Sequence, residues 1–158
     1  MTTGFVFPQF AIGCMGQSGT TPPILEATGH TYKFALGNVT GPITQATAGI
    51  STAKTFTDWK AIVPELAATG GYTAGGVAAS GTISFSAGGT NNATAEFNAT
   101  TNPAWTSATF TANQAVLYDS TAVTYQLICY WDFGGAIPVS SGTFTLAING
   151  SGLLTAQA

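Results

Sequence analysis

The second half of the chain alternates hydrophobic and polar residues with the two-residue period of β-strands. Between residues 105 and 154, threonine and serine alternate with large apolar side chains, and Gly, Asn, Asp or Ser separate the runs. The pattern predicts five short antiparallel strands, at 106–110, 115–119, 125–133, 142–149 and 153–155. We expect this series to form the core of the fold.

The first half adds three further strands and one helical segment. Residues 30–36 alternate cleanly, and residues 81–87 and 94–99 flank a Gly- and Asn-rich turn that is typical of a hairpin. In residues 56–71, apolar side chains recur at helical spacing, and Thr57 or Asp58 can cap the start. Pro64 forbids an unbroken helix, so a turn ending near Val63 can be followed by another that begins at Pro64. We therefore predict one short helical segment near 56–68.

About eight strands at this spacing predict an all-β fold, as an antiparallel β-sandwich or a jelly-roll-like arrangement over residues 30–158. Residues 1–29 differ in composition from the rest of the chain, because they combine phenylalanines with the prolines at positions 8, 22 and 23. We predict that they form an extended N-terminal arm, lying on a neighbouring molecule or on the chain's own sheet. Its candidate partner-contact residues are Phe5, Phe7, Phe10 and Ile12.

The chain carries very little charge, and this limits its partners. Three lysines, no arginine and six acidic residues give a formal net charge of −3, and charged residues make up 6% of the chain. Nucleic acid is an unsuitable partner, because its binding depends on a basic surface. No apolar run approaches the roughly 18 residues that span a membrane. A polar but uncharged surface favours packing against copies of itself or a protein partner.

Few residues offer catalytic or metal-binding chemistry. His30 is the only histidine, and we expect it at the surface or in a turn. Asp119 and Asp132 could form an acid/base pair, but each precedes turn residues. We favour a hydrogen bond from the following backbone to Asp119, and we expect Asp132 either to face solvent or to tie the turn. Cys14 and Cys129 lie far apart and outside any metal-binding spacing, which favours two buried thiols. We expect no enzymatic activity, no cofactor and no metal.

Tryptophan offers one alternative. Trp59, Trp105 and Trp131 could form a stacking platform for sugars in a lectin-like jelly roll. Tryptophan in strands more often belongs to a core or an interface, and we favour that interpretation.

Several motifs occur in succession between residues 56 and 154. The C-terminal half contains AWTSATFTANQAVLYDS, YQLICYWDFGG and SGTFTLAINGSGLL, and the segment FTDWKAIVPELAATGGYTAGGVAAS precedes them. Together they resemble small structural proteins encoded in the virion-assembly regions of tailed bacteriophages. Residues 1–29 are longer and more apolar than the start of the plainest members of that group.

The resemblance implies a non-enzymatic virion protein, assembled in the host cytoplasm. It suggests a capsid decoration (cement) protein that binds the major capsid protein and copies of itself, as a homotrimer. A neck or tail component, or a carbohydrate-binding module on the virion, is the alternative. The residues that match the motifs would serve as scaffold and turn geometry; they are Trp105, Tyr118, Asp119, Asp132, Phe133, Gly134 and Gly135.

Overall fold

Two antiparallel sheets and one short helix make up the part of the chain that the structure describes. The structure is a computed structural model, and it describes residues 3–6, 29–41, 43, 47–50, 52–88, 94–121, 126–147 and 154–157. The elements in chain order are β1 (Thr3–Val6), β2 (Tyr32–Gly37), α1 (Phe56–Ile62), β3 (Val77–Ala78), β4 (Ser80–Gly88), β5 (Thr94–Thr101), β6 (Ala104–Asp119), β7 (Leu127–Thr145) and β8 (Leu154–Gln157).

The strands are divided between a larger and a smaller sheet. The larger sheet has the order β1-β7-β6-β2-β3, and the smaller has the order β4-β5-β8. The all-β prediction is confirmed. The main contacts between described strands lie within each sheet, so face-to-face packing of the two sheets as a sandwich stays a prediction. The first four described residues of the predicted arm form β1, at the edge of the larger sheet.

Strands β6 and β7 are longer than the sequence pattern predicts. The predicted pair 106–110 and 115–119 is one strand, and most of the predicted pair 125–133 and 142–149 is another. Bulges allow the strands to continue: Ser107 and Ser141 adopt left-handed backbone angles, with φ of 53° and 51°, where the register shifts, and a further shift lies between Ala112 and Gln114. The breaks that we predicted at 111–114 and 134–141 are wrong, because bulges interrupt the pattern there without ending the strands.

The larger sheet is buried on both faces around β6. Every residue of β6 from Ala112 to Asp119 is buried. Because neighbouring side chains in a strand point to opposite faces, both faces must be covered. Helix α1 covers one of them, since the Phe56 ring stacks on Tyr118 with centroids 4.1 Å apart.

The helix begins at residue 56 and ends near Val63, as predicted, but its cap and the chain beyond Pro64 differ from the prediction. Its N-cap is Thr55, whose side chain accepts the Asp58 N–H, while the Asp58 carboxylate accepts the Thr55 N–H. The prediction of Thr57 or Asp58 as the cap is therefore wrong. The helix ends at Ile62, and beyond Pro64 the chain runs beside β2, where the Leu66 N–H donates to the Leu36 carbonyl. Continuation of the helix to residue 68 is also wrong.

Candidate functional site

The only histidine lies against an aspartate at the end of a neighbouring strand. His30 directly precedes the chain segment that enters β2, and Asp119 ends β6. The His30 Nδ1 atom hydrogen-bonds to Asp119 Oδ2, and the two side chains are 23% and 6% exposed. The other carboxylate oxygen accepts the Thr121 N–H at 2.8 Å, which confirms the predicted turn role of Asp119. The sequence did not reveal the histidine partner.

Further hydrogen bonds tie the same corner together. The Ser120 N–H and hydroxyl both donate to the Thr31 carbonyl, at 2.8 and 2.7 Å. The Thr31 N–H donates in turn to the Thr121 hydroxyl oxygen at 2.6 Å. The His30–Asp119 pair thus belongs to a set of contacts that fastens the turn after β6 to the chain entering β2.

The second motif aspartate, Asp132, holds a large bulge in β7. The pairing passes from Ala112–Ile137 to Gln114–Asp132, so residues 133–136 of β7 face a single residue of β6. Asp132 Oδ1 accepts the Gly134 N–H at 2.8 Å, and Gly134 has a φ of 77° that favours glycine. The predicted turn role of Asp132 is confirmed. The alternative that its side chain faces solvent is wrong, because Asp132 is 8% exposed.

Asp132 also binds the long connector between β2 and α1. Its Oδ2 atom accepts the Ile43 N–H at 3.2 Å. Both carboxylate oxygens therefore accept backbone N–H groups, one from the bulge and one from the connector.

The two aspartates are too far apart to act together. Asp132 pairs with Gln114, and Asp119 lies five residues further along the same strand. At about 3.4 Å per residue the separation along β6 is about 17 Å. Paired catalytic carboxylates lie about 5–10 Å apart. The acid/base pair considered from the sequence is not formed by these two residues.

Tyr118 hydrogen-bonds to the GYTAGG segment at residues 71–76. We call the hydrogen-bonded group of Glu65, Tyr72, Gly75 and Tyr118 the clasp. Glu65 Oε1 accepts the Tyr72 hydroxyl at 2.9 Å and also the Gly75 N–H. The Tyr72 oxygen accepts the Leu36 N–H at 3.1 Å, and the Tyr118 hydroxyl donates to the Gly75 carbonyl at 2.8 Å. Burial raises the pKa of Tyr72, and the neighbouring Glu65 charge raises it further, so the phenol keeps its proton.

The clasp explains why a glycine stands at position 76. Gly76 has a φ of 73°, and a Cβ atom there would lie 1.8 Å from the Phe34 carbonyl oxygen. Any side chain would push the segment away from β2. Gly76 therefore allows the GYTAGG segment to lie directly against the backbone of β2.

Trp105 and Phe133 belong to an aromatic cluster beside the clasp. Trp105 is 2% exposed, and its ring lies 6.4 Å from that of Tyr72. Phe144 connects the cluster, with ring centroids 5.8 Å from Trp105 and 5.9 Å from Phe133. These motif residues pack inside the fold. Gly135, the last motif residue, is exposed within the β7 bulge.

The three tryptophans do not form an exposed platform. Trp59 is fully buried against Phe56, Trp105 lies in the aromatic cluster, and Trp131 is half-buried beside Phe34. The preference for core positions is confirmed for Trp59 and Trp105.

The remaining sequence candidates lie partly outside the described residues. Cys129 is a free, buried thiol, as predicted, and burial raises its pKa. Cys14 is outside the described residues. Of the candidate arm contacts, Phe5 lies in β1 opposite Tyr130, and Phe7, Phe10 and Ile12 are outside the described residues.

Gln114 is a buried polar residue that the sequence pattern did not single out. It is fully buried in β6, and neither the nitrogen nor the oxygen of its amide has a hydrogen-bond partner among the described residues. It lies between Gly37 of β2 and Asp132 of β7. The alternation of residues in β6 did not predict that this amide would be buried.

The described residues form neither a metal centre nor a membrane-spanning helix. Within those ranges, His, Cys, Asp and Glu residues nowhere gather in a group of three or more that could hold a metal ion. The single described helix is too short to cross a membrane.

The family models, curated proteins and solved structures compared with the chain include no match. Functional inference therefore depends on the residues themselves, their geometry and the motif resemblance.

Proposed function

We propose that this chain is a structural protein of a tailed-phage virion, which decorates the capsid as a cement protein and acts through protein contacts without catalysis. The observation that supports this best is the use of the motif carboxylates. Asp119 and Asp132 are both buried, and both accept backbone N–H groups that hold turns in place. The carboxylates of the motif that resembles the phage proteins therefore have a structural role in the fold.

The distribution of charge supports a protein partner. No charged residue occurs from 66 to 95 or after Asp132. Such a surface associates through apolar and hydrogen-bonded contacts and does not depend on electrostatic steering. We propose that the partners are the major capsid protein and further copies of this chain, as a homotrimer, on the outer surface of the virion.

The proposed contact with the capsid lies in the N-terminal arm beyond β1. Phe5 is part of a strand of the chain's own sheet. Phe7, Phe10 and Ile12 follow it and provide three large apolar side chains. Each such side chain contributes about 1.5–3 kcal/mol when it is fully buried in a contact.

The test compares the binding of variants to particles that lack the chain. Replacing Phe7, Phe10 and Ile12 by serine should weaken binding at least about tenfold, because even a part of the lost burial exceeds 1.4 kcal/mol. The melting temperature should change little. Ile137→Ser is the matched control, because it removes an exposed apolar side chain of β7 and should leave binding intact.

Microscopy of particles carrying a labelled chain tests the location. Label spread over the capsid supports the proposal, whereas label confined to the neck or tail would support the alternative role and overturn decoration. Full binding by the triple variant would exclude the arm as the contact. Carbohydrate binding receives no support from the buried Trp59 and Trp105.

A further inference from the structure

The N-terminal strand forms an edge of the larger sheet and is held there by one neighbour. β1 pairs with β7 through four residue pairs, from Thr3 opposite Asp132 to Val6 opposite Cys129. Among the described elements, its main contacts are with β7 alone. The strand contains no charged residue, so its docking does not depend on charge, and backbone pairing with β7 is its described contact.

The chain between β1 and β2 is far longer than the sheet requires. Val6 lies opposite Cys129, and Tyr32 lies opposite Asp119, so the end of β1 and the start of β2 lie near the same end of the sheet. Only β7 and β6 separate the two strands, which gives a gap of about 14 Å. Residues 7–31 can reach about 80 Å when fully extended. The covalent connection therefore does not restrict β1 to its own sheet.

Pairing with a second copy would reproduce the same contacts. An identical strand meets an identical edge in either case, so the balance depends on local concentration and not on new interactions. Linkage through about 25 residues gives an effective concentration of about 1 mM within one chain. Free protein at about 10 µM would then exchange roughly one strand in a hundred. When copies are held side by side at a millimolar local concentration, the fraction of β1 strands that pair with another copy becomes comparable to the fraction that pair within their own chain.

We propose that β1 is exchanged between neighbouring copies, so that β1 of one chain pairs with residues 129–132 of the next. The proposal rests on the proposed function, because the decorated capsid holds many copies side by side. The interaction surface is the outer edge of β7, and its occupant is the N-terminal strand of a second copy of this chain.

The register provides a direct test with one new cysteine. Val6→Cys faces the native Cys129, and the distance between directly opposed Cα atoms in antiparallel strands suits a disulfide. Cys14→Ser removes the other thiol. The double variant is oxidised as free protein at about 10 µM and on decorated particles, and disulfide-linked dimers are measured on non-reducing gels. We expect the dimer fraction to rise at least about tenfold on the particles.

The control places the new cysteine one residue away. In Phe5→Cys with Cys14→Ser, the new cysteine is opposite Tyr130 and one register position away from Cys129, so it should form few disulfides. A dimer fraction that stays equal in the two conditions, with disulfides only within chains, would overturn the exchange. Failure to form any disulfide would overturn it as well, because β1 would then not occupy the β7 edge. Failure of the variant to bind particles while wild type binds them would count against exchange, whereas failure of both proteins to bind would refute decoration alone.

Discussion

At the scale of single residues, two neighbouring amides in β6 have opposite surroundings. The Asn113 side chain accepts the Val39 N–H at 3.1 Å and donates to the Val39 carbonyl, so it pairs with the connector as a strand would. The Gln114 amide is buried, and no residue in the described part of the chain hydrogen-bonds to it. A buried polar group that lacks a hydrogen bond costs about 1–3 kcal/mol. The two positions should therefore respond in opposite ways to apolar substitution.

We expect Gln114→Met to raise the free energy of unfolding by about 1 kcal/mol, because methionine has a similar length and no amide to desolvate. Asn113→Leu is the comparison, and it should lower the free energy by about 1–3 kcal/mol, because it leaves the Val39 N–H and carbonyl without their partner. Urea denaturation of both variants measures these changes. A clear loss of stability in Gln114→Met would mean that the amide has a partner in solution.

The turn roles of Asp119 and Asp132 could be predicted from the sequence because their partners are local. Each accepts an N–H two residues ahead, which depends only on the following chain. The contacts to His30 and to Ile43 could not be predicted in this way, because each partner is 89 residues away. They depend on strand order and register, which alternation of residues does not specify.

At the scale of elements, the start of α1 depends on a capping box. Thr55 and Asp58 exchange hydrogen bonds, and the Asp58 carboxylate accepts a further bond from the Lys54 N–H at 2.9 Å. These backbone bonds lower the pKa of Asp58 below its ordinary value of 3.8. Because the pKa in the folded state is the lower one, the carboxylate stabilises the fold above this value. The contribution is lost as the pH falls through the pKa of the folded state.

We expect Thr55→Ala to lower the free energy of unfolding by about 1 kcal/mol at pH 7. Asp58→Asn should also be less stable than wild type at pH 7, and the difference should shrink as the pH falls below 3.8 and the wild-type carboxylate becomes protonated. Denaturation of the proteins across this pH range provides the measurement. Thr57→Ala is the control, because Thr57 is exposed and its effect should stay within about 0.5 kcal/mol. A difference between Asp58→Asn and wild type that does not depend on pH would contradict this role of the carboxylate.

The pattern of residues predicted which elements exist better than where they end. β2, β5 and β8 lie within a few residues of the predicted strands. The pattern failed in β6 and β7, where the bulges at Ser107 and Ser141 and at residues 133–136 interrupt the alternation without ending the strand. A bulge and a turn use the same small and polar residues, so the sequence alone does not separate them.

At the scale of the whole molecule, the N-terminal residues combine a strand of the sheet with the proposed capsid contact. Residues 3–6 complete an edge of the larger sheet, and Phe7, Phe10 and Ile12 are proposed to bind the capsid. A deletion of residues 1–29 removes both, so weak particle binding by that variant would have two explanations. Separating them requires a deletion confined to β1.

We expect deletion of residues 1–6 to lower the free energy of unfolding by about 1–2 kcal/mol. The ladder hydrogen bonds of β1 stabilise the pairing with β7, and the entropy cost of ordering the strand makes the net contribution smaller than the sum of those bonds. The deletion also exposes the N–H and carbonyl groups of residues 129–132, and an open edge of this kind promotes association between sheets. Urea denaturation and gel filtration of the shortened chain measure the two effects. Deletion of residues 1–2 is the control, because it leaves all four residue pairs of β1 in place. A variant without residues 1–6 that stays monomeric and as stable as wild type would mean that β1 contributes nothing to this sheet, and the β7 edge would then be available to a partner from the outset.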